Sequence, residues 1–254
     1  ALVLGTNEGG RDATPPSLVG RENALRMLRD ALARAGIGLR QSVLVKGPSG
    51  LGKSALLVGF RHLEQSRDAT ICWQPNTRMS VQESYGVARH LVRWHLGGEI
   101  DSEGLAALVE RLGLSELDDD DIRWLEEAMG IREPHEVSLL AQSSEAVEAV
   151  VALLHGLIHE LSQERPLVLM IDDLQWVDEP SFKVLAGLQA RLPINCPLLL
   201  IASHHGRESL PTRLHWDQQI ALGRLDAMQS SRLLTQLARR YRLHLSPRLR
   251  GQII

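Results

Sequence analysis

The sequence has few cysteines, no long apolar run and no large excess of either charge. Cys72 and Cys196 lie beside apolar stretches and form no CxxC pair. This favours two small buried residues in a reducing compartment over a disulfide or zinc framework. No apolar stretch approaches the roughly 18–20 residues of a membrane span, and no signal-peptide pattern stands at the start. We therefore expect a cytoplasmic protein with no membrane partner.

The overall composition is that of a globular protein. The 254 residues are 44% hydrophobic and 23% charged, and the net charge of −3 gives no reason to expect this chain to coat nucleic acid. The length allows one large domain, or one domain and the beginning of another. Because the chain starts at Ala1 and stops at "GQII", we expect a fragment of a longer protein.

Short apolar runs alternate with segments of helical periodicity along the chain. Residues 1–16 are rich in Gly, Pro and Thr and indicate a linker or tail. Strands are predicted at 42–46, 69–73, 167–171, 198–202 and 219–222, and helices at 21–35, 54–63, 80–97, 120–129, 145–161 and 181–192. Strands that are apolar throughout and separated by helices are typical of a parallel sheet covered on both faces. We predict an α/β domain over 17–224 and the start of a helical domain over 225–254.

The segment "GPSGLGKS" carries the strongest chemical signal. It fits G-x-x-x-x-G-K-[ST] and stands between a predicted strand and a predicted helix, as a phosphate-binding loop requires. Glycines let backbone N–H groups turn towards a polyphosphate, and the next helix presents its positive N-terminus to the same anion. The residues expected to bind ATP or ADP are Gly47, Ser49, Gly50, Leu51, Gly52, Lys53, Ser54 and Ala55. Lys53 would reach the β- and γ-phosphates, and Ser54 would ligate Mg²⁺.

Two aspartates follow the apolar run "LVLMI" directly. An unpaired buried carboxylate is costly, so a chain that places acids there must either solvate them or use them. The carboxyl end of a parallel strand faces the ligand crevice. Asp172 would therefore hold Mg²⁺, and Asp173 would orient or activate the water that attacks the γ-phosphate. The alternative for Asp173 is a structural cap of the loop. Together with the phosphate loop, this predicts an α/β P-loop NTPase fold of the AAA-like (ASCE) type.

Three segments together resemble a particular family: "LVGRE" (18–22), "GPSGLGKS" and "IDDLQWVDEPS". They look like the ATPase module of bacterial STAND proteins, and above all of the large ATP-binding LuxR-family regulators related to MalT. The resemblance covers about residues 17–240. It implies a nucleotide-operated switch in a multidomain transcriptional regulator, in which ATP favours self-oligomerisation and ADP a closed monomer. DNA would be bound only by a domain outside this sequence.

The resemblance also suggests further nucleotide contacts. In similar proteins the "VGR" segment lies along the adenine, so Val19 and Arg21 become candidates for contact with the base. Relatives usually end the "LLLIA" strand with an arginine that senses the γ-phosphate, whereas this chain has "SHHGR". His204 or His205 stands at the expected position, and Arg207 follows a few residues later. A histidine is only partly charged at neutral pH, so slow hydrolysis is expected.

Several other patterns have less specific explanations. "HGLIH" has the spacing of a zinc helix but lacks the glutamate of the protease motif. The acid run Asp118–Asp121 is typical of a helix start. Trp176 would stack on a base or, more in keeping with its position, pack between loop and sheet. The basic "RRYRLHLSPRLR" indicates a solvated helix face rather than a DNA site.

Two other functions remain open at this point. One is a motor or loader ATPase of the AAA+ type that hydrolyses ATP steadily, which would need a trans-acting arginine that the sequence does not identify. The other is the same switch module controlling a kinase or a nucleotide cyclase.

Overall fold

The core of the fold is a single parallel sheet. The computed structural model describes residues 18–64, 69–132, 143–206 and 214–242. The strands are β1 (Gln41–Lys46), β2 (Thr70–Gln74), β3 (Leu167–Ile171), β4 (Leu198–His204) and β5 (Gln218–Ala221). Their order is β2-β3-β4-β1-β5, and all four neighbouring pairs are parallel. The predicted α/β fold is confirmed.

Helices cover both faces of this sheet. They are α1 (Glu22–Gly36), α2 (Lys53–Glu64), α3 (Gly86–Leu96), α4 (Ser102–Arg111), α5 (Asp119–Met129), α6 (Ser144–Leu161), α7 (Glu179–Arg191) and α8 (Ala227–Arg240). Side chains of α1 and α2 pack on one face, against Val43, Met170 and Ile201, and those of α3 to α7 pack on the other. Every residue of β3 and β4 is buried, as expected for strands covered on both sides.

The register of the central strands brings their carboxyl ends to one edge. Lys46 of β1 pairs with His204 of β4, and Ile171 of β3 pairs with Ala202. The phosphate loop follows β1 and the two aspartates follow β3, with β4 between these strands. The predicted phosphate and metal ligands therefore share one edge of the sheet.

One predicted helix is wrong in its extent. The helix expected over 80–97 is divided into a 3₁₀ turn, Ser80–Gln82, and α3, which starts at Gly86. Tyr85 between them is fully buried and has a φ of 60°. The carboxylate of Asp178 accepts hydrogen bonds from the N–H groups of Tyr85 and Gly86 at 2.9 and 3.0 Å. A contact 93 residues away in sequence thus helps to hold the break.

The sequence predicts the start of α5 correctly but misses one helix, α4. Asp118 caps α5 in a reciprocal arrangement with Asp121, which confirms the helix-start interpretation of the acid run. Asp178 caps α7 and Pro180 lies in its first turn. Helix α4 was not predicted. None of the described helices is long and apolar enough to cross a membrane.

Candidate nucleotide-binding site

The phosphate loop has the backbone geometry that its sequence predicts. Gly50 and Gly52 both have a φ of +84°, a conformation that side chains other than hydrogen rarely allow. Neither glycine donates its N–H to another described residue. Pro48, Ser49 and Gly50 are exposed at the tip of the loop. The loop can therefore offer backbone donors to an anion, and the chain's own residues fit a polyphosphate.

Lys53 and Ser54 stand in the first turn of α2, directly after the loop. The Lys53 residue is only 6% exposed, and its Nζ donates to the carbonyl oxygen of Pro48 at 3.3 Å. The ammonium group is thus kept beside the loop rather than in solvent. Ser54 is exposed and Ala55 is half-buried on the same turn. This places the predicted phosphate and magnesium ligands at the N-terminal end of the helix, where an anion is favoured.

The side chain of Arg21 contacts the backbone of the phosphate loop. Its Nη2 donates to the carbonyl oxygens of Leu51 and Gly223 at 2.8 and 3.0 Å. Leu51 belongs to the loop, whereas Gly223 belongs to the connector between β5 and α8, residues 222–226. Burial lowers the pKa of the Arg21 guanidinium, which still remains charged at neutral pH. The side chain therefore joins the phosphate loop to the connector, a role that the expected base contact did not include.

Two close backbone contacts reinforce this joint. A Cβ added at Gly47 would lie 2.8 Å from the carbonyl oxygen of Leu222, so a side chain there would displace the connector. The N–H of Leu222 donates to the carbonyl of Lys46 at 2.7 Å. Gly20 in turn packs against the side chains of Leu225 and Gln229. The beginning of the phosphate loop, the "VGR" segment and the start of α8 are thus in direct contact.

Asp172 is buried at the end of β3 and is held by its neighbours. It is 6% exposed, and its Oδ1 accepts a short hydrogen bond from the hydroxyl of Ser203 at the end of β4. Its backbone N–H donates to the carbonyl of Gln74 at 2.9 Å, and its carbonyl accepts from the amide of Asn76 at 2.7 Å. The residues around Asp172 fix its position from both neighbouring strands.

The other half of the acidic pair has a different environment. Asp173 is half-buried and adopts a left-handed conformation with a φ of 53°. Its N–H donates to the hydroxyl of Ser203 at 2.8 Å, and its Oδ1 accepts from the side-chain amide of Gln175 at 2.9 Å. The carboxylate makes no capping hydrogen bond to the 3₁₀ turn that follows it. A strained residue of this kind is typical of functional sites.

The two histidines at the end of β4 lie in different environments. His204 is 2% exposed, and its Nδ1 accepts the N–H of Gly206 at 2.9 Å. The rings of His204 and His205 stack with their centroids 5.3 Å apart. Because His204 is buried against its own loop, the half-buried His205 is the better placed of the two to meet a phosphate. Arg207 lies outside the described residues.

Other candidates from the sequence have local roles. Val19 is half-buried in the turn before α1. Trp176 is half-buried, with the guanidinium carbon of Arg78 5.3 Å from its ring centroid. His155 and His159 lie on α6. The described part of the chain contains no group of three or more His, Cys, Asp or Glu side chains that could hold a metal ion.

Sequence reasoning missed the polar residues that position Asp172. Ser203, Gln74 and Asn76 are all buried, and Oε1 of Gln74 has no hydrogen-bond partner. Each comes at or just after the end of an apolar strand, in "LLLIAS" and "ICWQPN". The same signal, a polar residue directly behind an apolar run, had identified Asp172 and could have identified them.

Comparison with known proteins supports this fold. The family model described as AAA ATPase domain matches residues 17–201, more than two-thirds of the chain. The Aeropyrum pernix ORC1 protein in its DNA complex has 17% identity and a TM-score of 0.53, over 90% of this chain and 52% of that one. No curated protein matches the chain in sequence.

Two further structures have similar scores. The Aeropyrum pernix ORC2 protein in ADPNP–ADP complexes has 14% identity and a TM-score of 0.53, over 94% of this chain and 56% of that one. A chain of the E. coli MS115-1 HORMA:CdnC:Trip13 complex has 11% identity and a TM-score of 0.54, with coverages of 93% and 73%. The chain thus spans about half the length of the two archaeal proteins, and at these identities the likeness shows the fold alone.

The parallel sheet, the phosphate loop after its first strand and the acidic pair after its third agree with the family match over residues 17–201. The chain belongs to the AAA ATPase domain family.

Proposed function

We propose that this chain is the ATP/ADP-operated switch of a multidomain bacterial transcriptional regulator, with slow Mg²⁺-dependent hydrolysis as its reset. In this proposal the ATP state favours self-oligomerisation and the ADP state a closed monomer. DNA is bound by a further domain of the same protein. The observation that carries the proposal is the contact of Arg21 with both the phosphate loop and the connector to α8.

This contact suits a switch because it links ligand binding to the position of a helix. A nucleotide that changes the conformation of the loop at Leu51 disturbs the hydrogen bond from Arg21 to Leu51, and the same Nη2 also donates to Gly223. A ligand shifts a conformational equilibrium only through its different affinity for the two states. Arg21 supplies such a difference, since its two hydrogen bonds cannot both persist if the connector moves away from the loop.

The residues of the site have distinct tasks in the cycle. Lys53 and the loop N–H groups would bind the β- and γ-phosphates, and Ser54 and Asp172 would hold a Mg²⁺ ion that would supply positive charge beside the phosphate oxygens. Asp173 accepts the proton of the attacking water. The hydroxyl of Ser203 donates to the carboxylate of Asp172 and accepts from the backbone N–H of Asp173. It therefore fixes the Asp172 carboxylate relative to the backbone of Asp173.

A steadily hydrolysing AAA+ motor is also compatible with the family. The two possibilities differ in the γ-phosphate partner at the end of β4, where this chain has His205 rather than a permanently charged arginine. An imidazole lacks the permanent charge and the forked donors of a guanidinium, so it is a weaker partner for a phosphate. His205 therefore favours a switch whose ATP-bound state is long-lived. The same switch module could equally control a kinase or a nucleotide cyclase.

We expect ATP and ADP to bind the wild-type chain with affinities within roughly tenfold of each other. Turnover should be far slower than about 10 per second, the median for enzymes. His205→Arg should widen the affinity difference in favour of ATP, because the guanidinium adds a fixed positive charge. Calorimetry with each Mg²⁺–nucleotide and a phosphate-release assay test both statements.

His62→Arg is the matched control for that variant, since His62 lies in the last turn of α2, away from the phosphate loop. It should leave both affinities unchanged. Brisk wild-type turnover would favour the motor instead. A His205→Arg variant with wild-type affinities would remove His205 from the γ-phosphate site.

A further inference from the structure

A cavity of about 90 Å³ lies at the end of the sheet opposite the phosphate loop. It is lined by the first residues of β1 and β4, by α6 and α7, and by the segment that precedes β5. Strand β1 separates it from the phosphate loop by about 20 Å, six residues at roughly 3.3 Å each. The cavity is therefore distinct from the nucleotide site.

The inner wall of this cavity is aliphatic. It is formed by Ile158, Leu169, Leu185, Leu188, Leu198 and Leu200, all of which are buried. One water needs about 10–15 Å³ of such space, so there is room for roughly six heavy atoms. Apolar walls hold water poorly, because water needs polar partners. The wall therefore suits a small apolar group.

The mouth of the cavity carries a guanidinium. Nη1 of Arg40 donates to the carbonyl oxygens of Gln189, at 2.8 Å, and of Leu192. Its Nε and Nη2 have no hydrogen-bond partner among the described residues. Arg40 is half-buried, so the charge is partly withdrawn from water while two of its nitrogens retain donor capacity. A carboxylate is the natural partner of such a group.

Several of the other polar groups at the mouth are already hydrogen-bonded. Oδ2 of Asp217 accepts from both the N–H and the hydroxyl of Ser42, each at 2.7 Å. The side chain of Gln189 exchanges two hydrogen bonds with the backbone of His215, at 2.8 and 2.9 Å. These contacts fasten the segment before β5, whereas Arg40 keeps two guanidinium nitrogens with donors to spare.

We infer that this cavity is a binding site for a small monocarboxylate with an apolar body, whose carboxylate pairs with Arg40 and whose body occupies the aliphatic wall. The site is separate from the proposed nucleotide switch and does not depend on it. The segment at its mouth continues along β5 into the connector that contacts Gly47. An occupant would thus sit on the segment that leads to the phosphate loop.

The probe for this site is benzoate, titrated into the 254-residue chain and followed by calorimetry and ligand-observed NMR. We expect saturable binding with a dissociation constant of about 1 mM, typical of so small a ligand. Benzamide, which has the same shape without the charge, should bind at least roughly tenfold more weakly, because a charge-assisted hydrogen bond is lost.

Three variants separate this site from other anion sites. Arg40→Gln should weaken benzoate by roughly tenfold and benzamide much less, because the charged partner of the carboxylate is removed. Arg26→Gln, on an exposed arginine of α1 that contacts Asn23, is the matched control and should have no effect. Lys53→Ala should also bind benzoate normally, because the phosphate loop lies at the other end of the sheet.

The inference is overturned if benzoate shows no saturable binding, or if Arg40→Gln binds it as tightly as the wild type. Tighter binding of benzylamine than of benzoate would also overturn it, because Asp217 would then be the recognising group. Loss of benzoate binding in Lys53→Ala would show that the anion occupies the phosphate loop instead. Leu198→Phe, which fills the wall, should abolish binding of both neutral and charged probes.

Discussion

Replacing Lys53 with alanine is expected to weaken the binding of both Mg²⁺–ATP and Mg²⁺–ADP by at least about 100-fold. Its ammonium group is buried beside the loop, where its one hydrogen-bond acceptor among the described residues is the Pro48 carbonyl. A phosphate in the loop would be held by this charge in surroundings that screen it poorly. Removing one partner of such a buried pair therefore costs more binding free energy than removing an exposed charge. Calorimetric titration with each nucleotide measures the loss.

Lys183→Ala is the matched control for this variant. Lys183 lies on α7 and pairs with the exposed Glu179 at 3.2 Å, so its removal changes the total charge equally without touching the loop. Its nucleotide affinities should equal those of the wild type. If Lys53→Ala retained wild-type affinity while Lys183→Ala did the same, the phosphate-loop assignment would be wrong.

Replacing Asp173 with asparagine is expected to slow ATP hydrolysis by about 10²–10⁴-fold while ATP affinity changes little. The substitution keeps the size of the side chain and an oxygen that can accept from Gln175. It removes only the charge and the capacity to take a proton. Single-turnover hydrolysis with saturating protein separates the chemical step from binding.

Asp172→Asn provides the contrast, because Asp172 lies one residue closer to the strand and is held by Ser203. Its main effect should be a weaker Mg²⁺-dependent part of nucleotide binding, measured by titration with and without the metal. An Asp173→Asn variant that hydrolyses ATP at the wild-type rate would make Asp173 a structural residue, as the cap interpretation holds.

Local patterns were sufficient for the sheet and the phosphate loop. A run such as "LVLMI" is apolar because both faces of β3 are covered, and the glycines of the loop mark positive φ angles at Gly50 and Gly52. Both signals are confined to a few neighbouring residues, so they can be recognised without the fold. The order of these elements then limits the architecture to an α/β sheet.

Helix α4 shows where local patterns become too weak. It has an Asp101 cap and two buried leucines, Leu105 and Leu108, but it is only ten residues long and contains Gly104. So short a helix is stabilised by packing more than by its own propensity. The break at Tyr85 likewise depends on Asp178, which no local pattern connects to it.

Hydrogen-bond partners that are distant in the sequence could not be predicted either. The Arg21 side chain was placed near a nucleotide by the resemblance, yet its acceptors come from Leu51 and from Gly223, 202 residues away. Ser203 reaches Asp172 only because β3 and β4 are adjacent in the sheet. The sequence predicts which residues carry the chemistry, whereas the residues that hold them in position follow from strand order.

In the proposed switch, the nucleotide state of the phosphate loop is coupled to α8 through Arg21. Amide hydrogen exchange of α8, Ala227–Arg240, measured with Mg²⁺–ADP and with a non-hydrolysable Mg²⁺–ATP analogue, tests it most directly. We predict different protection of α8 in the two states of the wild type, and a much smaller difference in Arg21→Ala. Arg26→Ala, on an exposed arginine of α1, should behave as the wild type. Identical α8 protection with both nucleotides in the wild type would contradict the switch.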